Sequence, residues 1–520
     1  MSPTNQHSLG REWRPALWLW LVWTIAASVA LHWWNREVIN TDAIAYLRIA
    51  DYYATADFEL AVNGYWGPLL SWLMVPFLKS GLPPLIAARS AMLISTLVFV
   101  TGANQMLAAF GPAKRAHVLG LTLCCLAGAV WGSQNITPDL LMAGLALVAL
   151  PLTRRAFGEH DSRAAGLAGL AWGAAYLAKA VALPWAALIV GIHALIQWRR
   201  RLPGYSSVAI LCGGIALVAL PWIFVVSVQA GHVTFSTSGR IAHSITGRVD
   251  EYRYHPTFVT LHRPRPGRLT SWENPAELLY HHWSPFESQE DFARQIRVMT
   301  ENVFKILFII TSLVPVWPLI VLIWFLSRSF NARESAVQAV VPLFLLCLIY
   351  LPVYLTFNEQ RYFYVSLPLL WIALNAARRS NVPRPVPVLK DGVQTLAFSA
   401  ILLALLASTI MYQYPARTAG MEAHQLARWL ELHGHAGPVA GSGMRPGGRA
   451  GLFTAWFLGQ PWLGDSQSTD PLPFLQTGAR LLVLSGEDPR IANWSHSSKI
   501  QSLELPASLA EKLVVFEVKP

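Results

Sequence analysis

A succession of apolar runs joined by short basic links dominates this chain and restricts it to one kind of fold. The runs cover residues 11–34, 90–110, 117–134, 139–153, 164–180, 181–198, 208–229, 303–326, 336–357, 362–377 and 392–412. Of the 520 residues, 13% are charged and 54% hydrophobic, whereas a soluble globular chain carries about 25% charged residues. That excludes disordered, fibrous and ordinary cytosolic classes and points to a chain lying mostly in lipid. The 22 Trp residues suit the membrane–water interface. Several runs are shorter than the ~20 residues of an ideal span, and Pro138, Pro184, Pro221 and Pro342 sit near their ends or interiors. Packing against neighbouring helices tolerates both features. The expected fold class is an all-α polytopic membrane protein with a small α/β domain at its C-terminal end.

The net charge is +11, from 40 basic and 29 acidic residues. In a soluble chain this suggests nucleic acid. Here the basic residues gather in short links between apolar runs, so the positive-inside pattern explains them and a nucleic-acid partner is set aside. Lys114-Arg115, Arg154-Arg155, Arg199-Arg200-Arg201, Arg328 with Arg333, and Arg378-Arg379 are therefore expected in the cytoplasm. The first run, with Arg11 and Arg14 before it and Trp33-Trp34 after it, reads as an uncleaved anchor, although Ser28-Val29-Ala30 has the small residues of a cleavage site. The stretch from Trp66 to Pro84 is short and broken by Pro76, Pro83 and Pro84. If it crossed, every later basic link would face outward, so it is expected to lie at the outer surface. About eleven crossings remain, with the N-terminus inside and the C-terminus outside. Cys124, Cys125, Cys212 and Cys347 lie in apolar runs without metal spacing and read as small apolar fillers.

The expected organisation is a transmembrane domain over 1–412 and an extracytoplasmic α/β domain over 413–520. Residues 35–89 form a first outer loop with a helix from Asp42 to Ala56, and 230–302 a large outer loop rich in His, Arg, Trp, Tyr and Pro. In the tail, Glu422 to Leu432 is amphipathic, Ala479 to Ser485 and Lys512 to Val518 are strand-like, and Gly437 to Gly451 reads as loop.

This topology places ionisable groups from four separate helix ends at one membrane surface. Asp42 follows the first run, Asp139 opens the fourth in Thr137-Pro138-Asp139, Lys179 closes the fifth, and Glu359 and Arg361 link the ninth and tenth. Singly, each has a structural role available. Asp42 suits a helix N-cap, Asp139 a helix dipole, Lys179 snorkelling, and Glu359 with Arg361 a loop ion pair. Together they are parts able to bind a lipid phosphate and activate an acceptor hydroxyl, and charges at membrane depth usually face a cavity or partner.

The order of these motifs resembles the GT-C superfamily of polytopic glycosyltransferases, near family 39 and the lipid A aminoarabinose transferases. The resemblance runs over nearly the whole chain. It rests on Asp42-Ala43-Ile44-Ala45-Tyr46-Leu47, Gly64-Tyr65-Trp66-Gly67-Pro68-Leu69-Leu70, Pro138-Asp139-Leu140-Leu141, Tyr176-Leu177-Ala178-Lys179, Thr234-Phe235-Ser236-Thr237-Ser238-Gly239-Arg240 and Glu359-Gln360-Arg361-Tyr362. Uncharacterised bacterial members carry the closest versions.

The resemblance implies a sugar donor on polyprenyl phosphate and an extracytoplasmic lipid, glycan or protein acceptor, at the outer face of a bacterial inner membrane. Asp42 carries over as general base in an inverting displacement. Arg361 and Lys179 are implied ligands of the leaving phosphate. Asp139, Glu359 and Tyr46 join the substrate-binding set, and Asp42 and Asp139 are candidates for holding a divalent metal, which some of these enzymes use. The chain departs from the pattern in two places: Ala43 stands where many members have a second acid, and no basic residue precedes Pro68. A flippase or transporter of lipid-linked sugar, and a non-catalytic scaffold acting through 413–520, are the competing classes. In the large outer loop His243, Arg248, Arg253, His255, His262, His281, His282 and Trp283 suit packing or recognition of a sugar or anionic acceptor better than metal.

Overall fold

The computed structural model describes residues 17–110, 113–200, 205–247, 255–326, 330–376, 389–442 and 449–519. Arg11, Arg14, Arg201, Arg248, Arg253, Arg328, Arg378 and Arg379, singled out above, lie outside the described residues.

Six helices among the described residues are long and apolar enough to cross a membrane: Leu17–Trp34, Pro84–Phe110, Lys114–Gln134, Asp139–Gly158, Ser206–Ala230 and Gly392–Leu432. Their outward sides are apolar. Leu217, Phe224 and Val228 are well exposed on one helix and Leu403 on another, an arrangement that suits lipid and not water. The chain is a membrane protein. The helices Pro68–Lys79, Ala336–Tyr350 and Ser366–Ala376 are apolar but shorter.

Lipid offers helices no hydrophobic reason to associate, so close approach through small residues does much of the packing. A Cβ added at Gly144 would stand 2.6 Å from the Phe99 nitrogen, and one at Gly169 2.9 Å from the Gly214 Cα. These glycines let Asp139–Gly158 press on Pro84–Phe110 and Ser162–Ala178 press on Tyr205–Ala230. One expectation needs correcting. Residues 303–326 are not a single run: Gln289–Leu313 ends and Trp317–Leu326 begins across Val314-Pro315-Val316. Pro315 has no N–H to continue the helix.

The last long helix does two jobs. Gly392–Leu432 contains 41 residues, about 60 Å at helical rise, twice the ~30 Å of a hydrocarbon core. It is interrupted by a π-turn at Thr409–Gln413. There Gln413 is buried and accepts from the Asn35 side chain at 3.0 Å, and Asn35 also donates to Ser133 at 3.2 Å. Beneath this node the buried Arg89 donates to the carbonyls of Ser133, Asn35 and Val38 at 2.7, 2.8 and 2.6 Å. It gives helix-end and loop carbonyls a donor in the low-dielectric bundle, Asn35 O accepting from Val38 N–H as well.

Beyond the turn, Tyr414–Leu432 packs on Ala450–Phe457 and both cover one face of a four-stranded mixed sheet ordered β1-β2-β4-β3. β1 is Val439–Ala440, β2 Leu481–Ser485, β3 Ile500–Ser502 and β4 Leu513–Val518; only β1–β2 is parallel. Alternation sends Leu481, Val483 and Val515 into the large core continuous with the bundle, and Leu482, Leu484 and Phe516 into a second core around Phe474 and Trp494.

Because backbone abuts backbone at Gly144, Gly144→Leu is expected to force the helices apart, with destabilisation of at least the ~1–3 kcal/mol typical of overpacking. Thermal unfolding in detergent reads this directly; an unchanged midpoint would contradict the packing described.

Candidate active site

The five ionisable residues expected at one surface meet in one cluster. Asp42, in the first turn of Thr41–Ala54, receives Arg361 Nη1 at 2.5 Å on Oδ2. Arg361 turns its Nε to Glu359 at 2.9 Å and stands 3.9 Å from Asp139. Asp139, fully buried at the start of Asp139–Gly158, pairs through its other oxygen with Lys179, which closes Ser162–Ala178. Lys179 Nζ also lies 3.6 Å above the centre of the Tyr362 ring, a favourable cation–π position, and Tyr362 stacks on Tyr350 at 4.9 Å. The helix from Asp139 runs 20 residues to Gly158 and carries Arg154 and Arg155 near its far end, about 23 Å from Asp139 at helical rise. Arg154 and Arg155 thus lie at the opposite end of this helix from the cluster.

Local contacts explain the convergence. The Asn40 side chain accepts from Ile136 N–H at 2.9 Å, tying the segment before Asp42 to the one before Asp139. Gly67 lies against the Leu177 carbonyl, where a Cβ would come within 2.6 Å, and so fixes the chain just before Lys179. Asn302 donates to the carbonyls of Leu351 and Val353 at 2.9 and 2.7 Å, anchoring the approach to Glu359 and Arg361. The Tyr176 hydroxyl donates to Phe235 O at 2.8 Å, and Thr237 N–H and the Ser236 hydroxyl both donate to Gly64 O at 2.8 Å.

Aromatic groups roof the carboxylate. Trp272 Nε1 donates to Asp42 Oδ1 at 3.2 Å, and Trp66 Nε1 donates to Trp272 O at 2.9 Å. Tyr46, one turn after Asp42 and buried, packs edge-on against Trp66 with ring centres 5.1 Å apart. Burial first, then the Asp42 and Asp139 charges, push its phenol well above the ordinary range, so Tyr46 keeps its proton. His255 stands 4.6 Å from the Trp272 ring. Burial drives its imidazole down to about 3, against the pull of Asp42, so it is neutral at neutral pH.

The segment 255–288 is clasped to the helix Thr41–Ala54 by Glu273, buried in the turn Ser271–Glu273. It accepts from the Tyr52 hydroxyl at 2.6 Å and from Leu269 and Thr270 N–H at 2.7 and 3.1 Å. Burial raises its carboxyl above the usual range, opposed by Arg48 and the Tyr52 bond. Further along, Tyr280, His281, His282 and Trp283 line a cavity of about 400 Å³ that also touches Glu287 and Asp291. Tyr280 reaches within 3.4 Å of His255 Nδ1, between cavity and cluster. His243 stacks on Trp283 at 4.6 Å, whereas His262 points elsewhere, to Ser271.

Arg361 and Lys179 are both paired to carboxylates of the chain, in a site too apolar to leave either charge alone. Asp42 and Asp139 each face a cation of the chain, and among the described residues no three His, Cys, Asp or Glu side chains are grouped to hold an ion. Sequence reasoning missed Asn40, Arg89, Trp272 and Glu273. Only Asn40 carried a signal, standing next to Thr41-Asp42.

No protein-family model and no curated protein matches the chain. Among solved structures it is similar to ArnT from Cupriavidus metallidurans bound to undecaprenyl phosphate, at 16% identity and a TM-score of 0.51, over 96% of this chain and 97% of that one. The same protein in its apo state gives 15% identity and a TM-score of 0.43, over 96% and 98%. The arabinofuranosyltransferase AftD from Mycobacteria gives 16% and 0.47, over 96% of this chain and 40% of that one.

Removing one partner of a buried pair leaves a charge without compensation, a loss of about 3–5 kcal/mol when fully buried; Lys179 is 23% exposed, which reduces it. Lys179→Met is therefore expected to destabilise the protein and Asp139→Asn with Lys179→Met together to recover part of the loss. Additive losses in thermal unfolding would show that the pair is not coupled. The ArnT match at a TM-score of 0.51 shows a shared fold, and the chain has a GT-C-like fold.

Proposed function

We propose that the protein is a membrane glycosyltransferase that moves a sugar from a polyprenyl-phosphate donor to an acceptor hydroxyl at the outer face of a bacterial inner membrane. The convergence of Asp42, Asp139, Lys179, Glu359 and Arg361 at one end of the bundle carries this reading. The fold shared with ArnT, which was solved with undecaprenyl phosphate, supports the donor class. In this reading about eleven crossings put the cluster outside, the shorter helices supplying the crossings beyond the six long ones. Residues 1–412 then form the transmembrane domain and 413–520 an extracytoplasmic one.

The donor phosphate competes with Asp42 for Arg361, and as Arg361 turns to the phosphate an Asp42 oxygen becomes available to the acceptor. Asp42 takes the hydroxyl proton while the acceptor oxygen attacks the anomeric carbon from the face opposite the phosphate. The bond from that carbon to the phosphate oxygen breaks and its electron pair leaves as polyprenyl phosphate. The phosphate gains one negative charge as Asp42 loses one, so the site never accumulates charge in low dielectric. Arg361 presents a planar fork to the phosphate and Lys179 a point charge. Asp139 holds both cations in place, Glu359 steadies Arg361, and Tyr46 and Trp272 shape the space over Asp42. The aromatic cavity beside His255 and Tyr280 gives an acceptor a way in. No step here uses a metal.

The test supplies a panel of polyprenyl-phosphate sugars to the protein in membranes and measures release of free polyprenyl phosphate, a product common to every donor sugar. Asp42→Asn is expected to lower the rate by about 10²–10⁴-fold, the usual size of a general-base contribution, measured well below an unfolding temperature that also falls because Arg361 loses a carboxylate partner. Release at the wild-type rate would remove Asp42 from the chemistry, and no release by the wild type from any donor would sink the reading.

A further inference from the structure

Arg449 belongs to the C-terminal segment, some four hundred residues after Asp42, and nothing in the cluster described above uses it. It precedes the helix Ala450–Phe457. Its guanidinium lies 3.5 Å above the centre of the Phe258 ring, and its Nη1 is buried with no hydrogen-bond partner among the described residues. A guanidinium carries five donors and accepts nothing, so an orphaned buried N–H is a standing cost of folding. Phe258 in turn packs on Trp272, with ring centres 4.8 Å apart, and Trp272 is the residue that donates to Asp42.

Electrostatics put Arg449 at the same place. Burial pulls its pKa down to about 10, and the carboxylate that most strongly pulls it back is Asp42. His255 feels both Asp42 and Arg449. Arg449 therefore remains charged at neutral pH and is joined to Asp42 through Phe258 and Trp272, yet Asp42 is bonded to Arg361 and Trp272 and not to it.

On its C-terminal side Arg449 is anchored by Phe453 N–H, which donates to its carbonyl at 2.9 Å. Trp462 N–H donates to Leu269 O at 2.7 Å and His262 N–H to Leu463 O at 2.9 Å, knitting the C-terminal segment to the segment 255–288. Gly464, in the left-handed region at φ 92°, abuts the Thr260 carbonyl. Trp462 Nε1 donates to Gly441 O at 3.1 Å, and Leu452 and Phe453 lie in the same core as Phe258. A buried cation beside a charged site, with a donor left over, fits an anion that arrives from outside the chain.

We propose that Arg449 binds the phosphate of the lipid-linked donor together with Arg361, so that the C-terminal segment completes the donor site. This rests on the donor class proposed above. Three carboxylates face two cations in the cluster, and Arg449 supplies the missing positive charge. Bound phosphate then gives its orphaned Nη1 an acceptor.

The experiment measures thermal shift of the full chain in detergent with undecaprenyl phosphate, with undecaprenol, and with inorganic phosphate. It compares the wild type with Arg449→Gln, Arg449→Lys and Arg361→Gln. The expected result is stabilisation of the wild type by undecaprenyl phosphate only, at least tenfold weaker binding by Arg449→Gln, and partial recovery by Arg449→Lys. Without ligand, Arg449→Gln is expected to unfold no lower than the wild type, since it removes an unsatisfied charge; a lower midpoint not restored by Arg449→Lys would make the residue structural and overturn the proposal. Equal binding by wild type and Arg449→Gln, while Arg361→Gln loses it, overturns the Arg449 assignment and leaves the proposed function standing. A response to inorganic phosphate alone overturns the lipid source, and a wild type that responds to no phosphate overturns both readings.

Discussion

The ion pair between Asp42 and Arg361 joins positions 319 residues apart, and much of the chain is arranged so that neither charge is left alone. An uncompensated carboxylate or guanidinium at the edge of an apolar bundle is strongly disfavoured. The cluster answers this by interleaving charges: Asp42 to Arg361, Arg361 to Glu359 and toward Asp139, Asp139 to Lys179. The supporting contacts serve that alternation. Asn40 links the two segments that end in Asp42 and Asp139, Arg89 satisfies the carbonyls behind them, and Gly67 sets the approach to Lys179.

Two kinds of scaffold meet at this cluster. From one side come helix ends, positioned by close packing at residues such as Gly144 and Gly169. From the other comes a roof of aromatic rings from two connecting segments, Trp66 and Trp272 above all, tied down by Glu273 and Tyr52. The 41-residue last helix joins the bundle to the sheet-bearing segment, and its π-turn is where Gln413 reaches back to Asn35. Site and scaffold are therefore coupled, and the C-terminal segment is wired into the roof through Trp462, Leu463 and Gly464.

Hydropathy alone marked most of the helices, because lipid-facing composition is a local property. The motifs around Asp42, Asp139, Lys179 and Arg361 were legible because charge stands out against apolar runs and because their order resembled a known superfamily. The strands at Leu481–Ser485 and Leu513–Val518 were legible from their apolar runs. Other features left no local trace. Arg89 looked like one basic residue near a helix start, yet its three acceptors are 44 to 54 positions away. Glu273 and Arg449 sat in polar, loop-like stretches where burial has no periodicity. The break at Pro315 was hidden by unbroken hydrophobicity on both sides. That Lys179 and Arg361 are already paired depends on three-dimensional neighbours, which spacing does not encode.

The central claim is that an incoming lipid phosphate takes Arg361 from Asp42. A cryo-EM structure of the protein in lipid nanodiscs with undecaprenyl phosphate tests it most directly. The account expects the phosphate within hydrogen-bond distance of Arg361, beside Lys179, with Asp42 and Arg361 no longer in contact. A headgroup bound elsewhere on the bundle, with the Asp42–Arg361 pair intact, would contradict it.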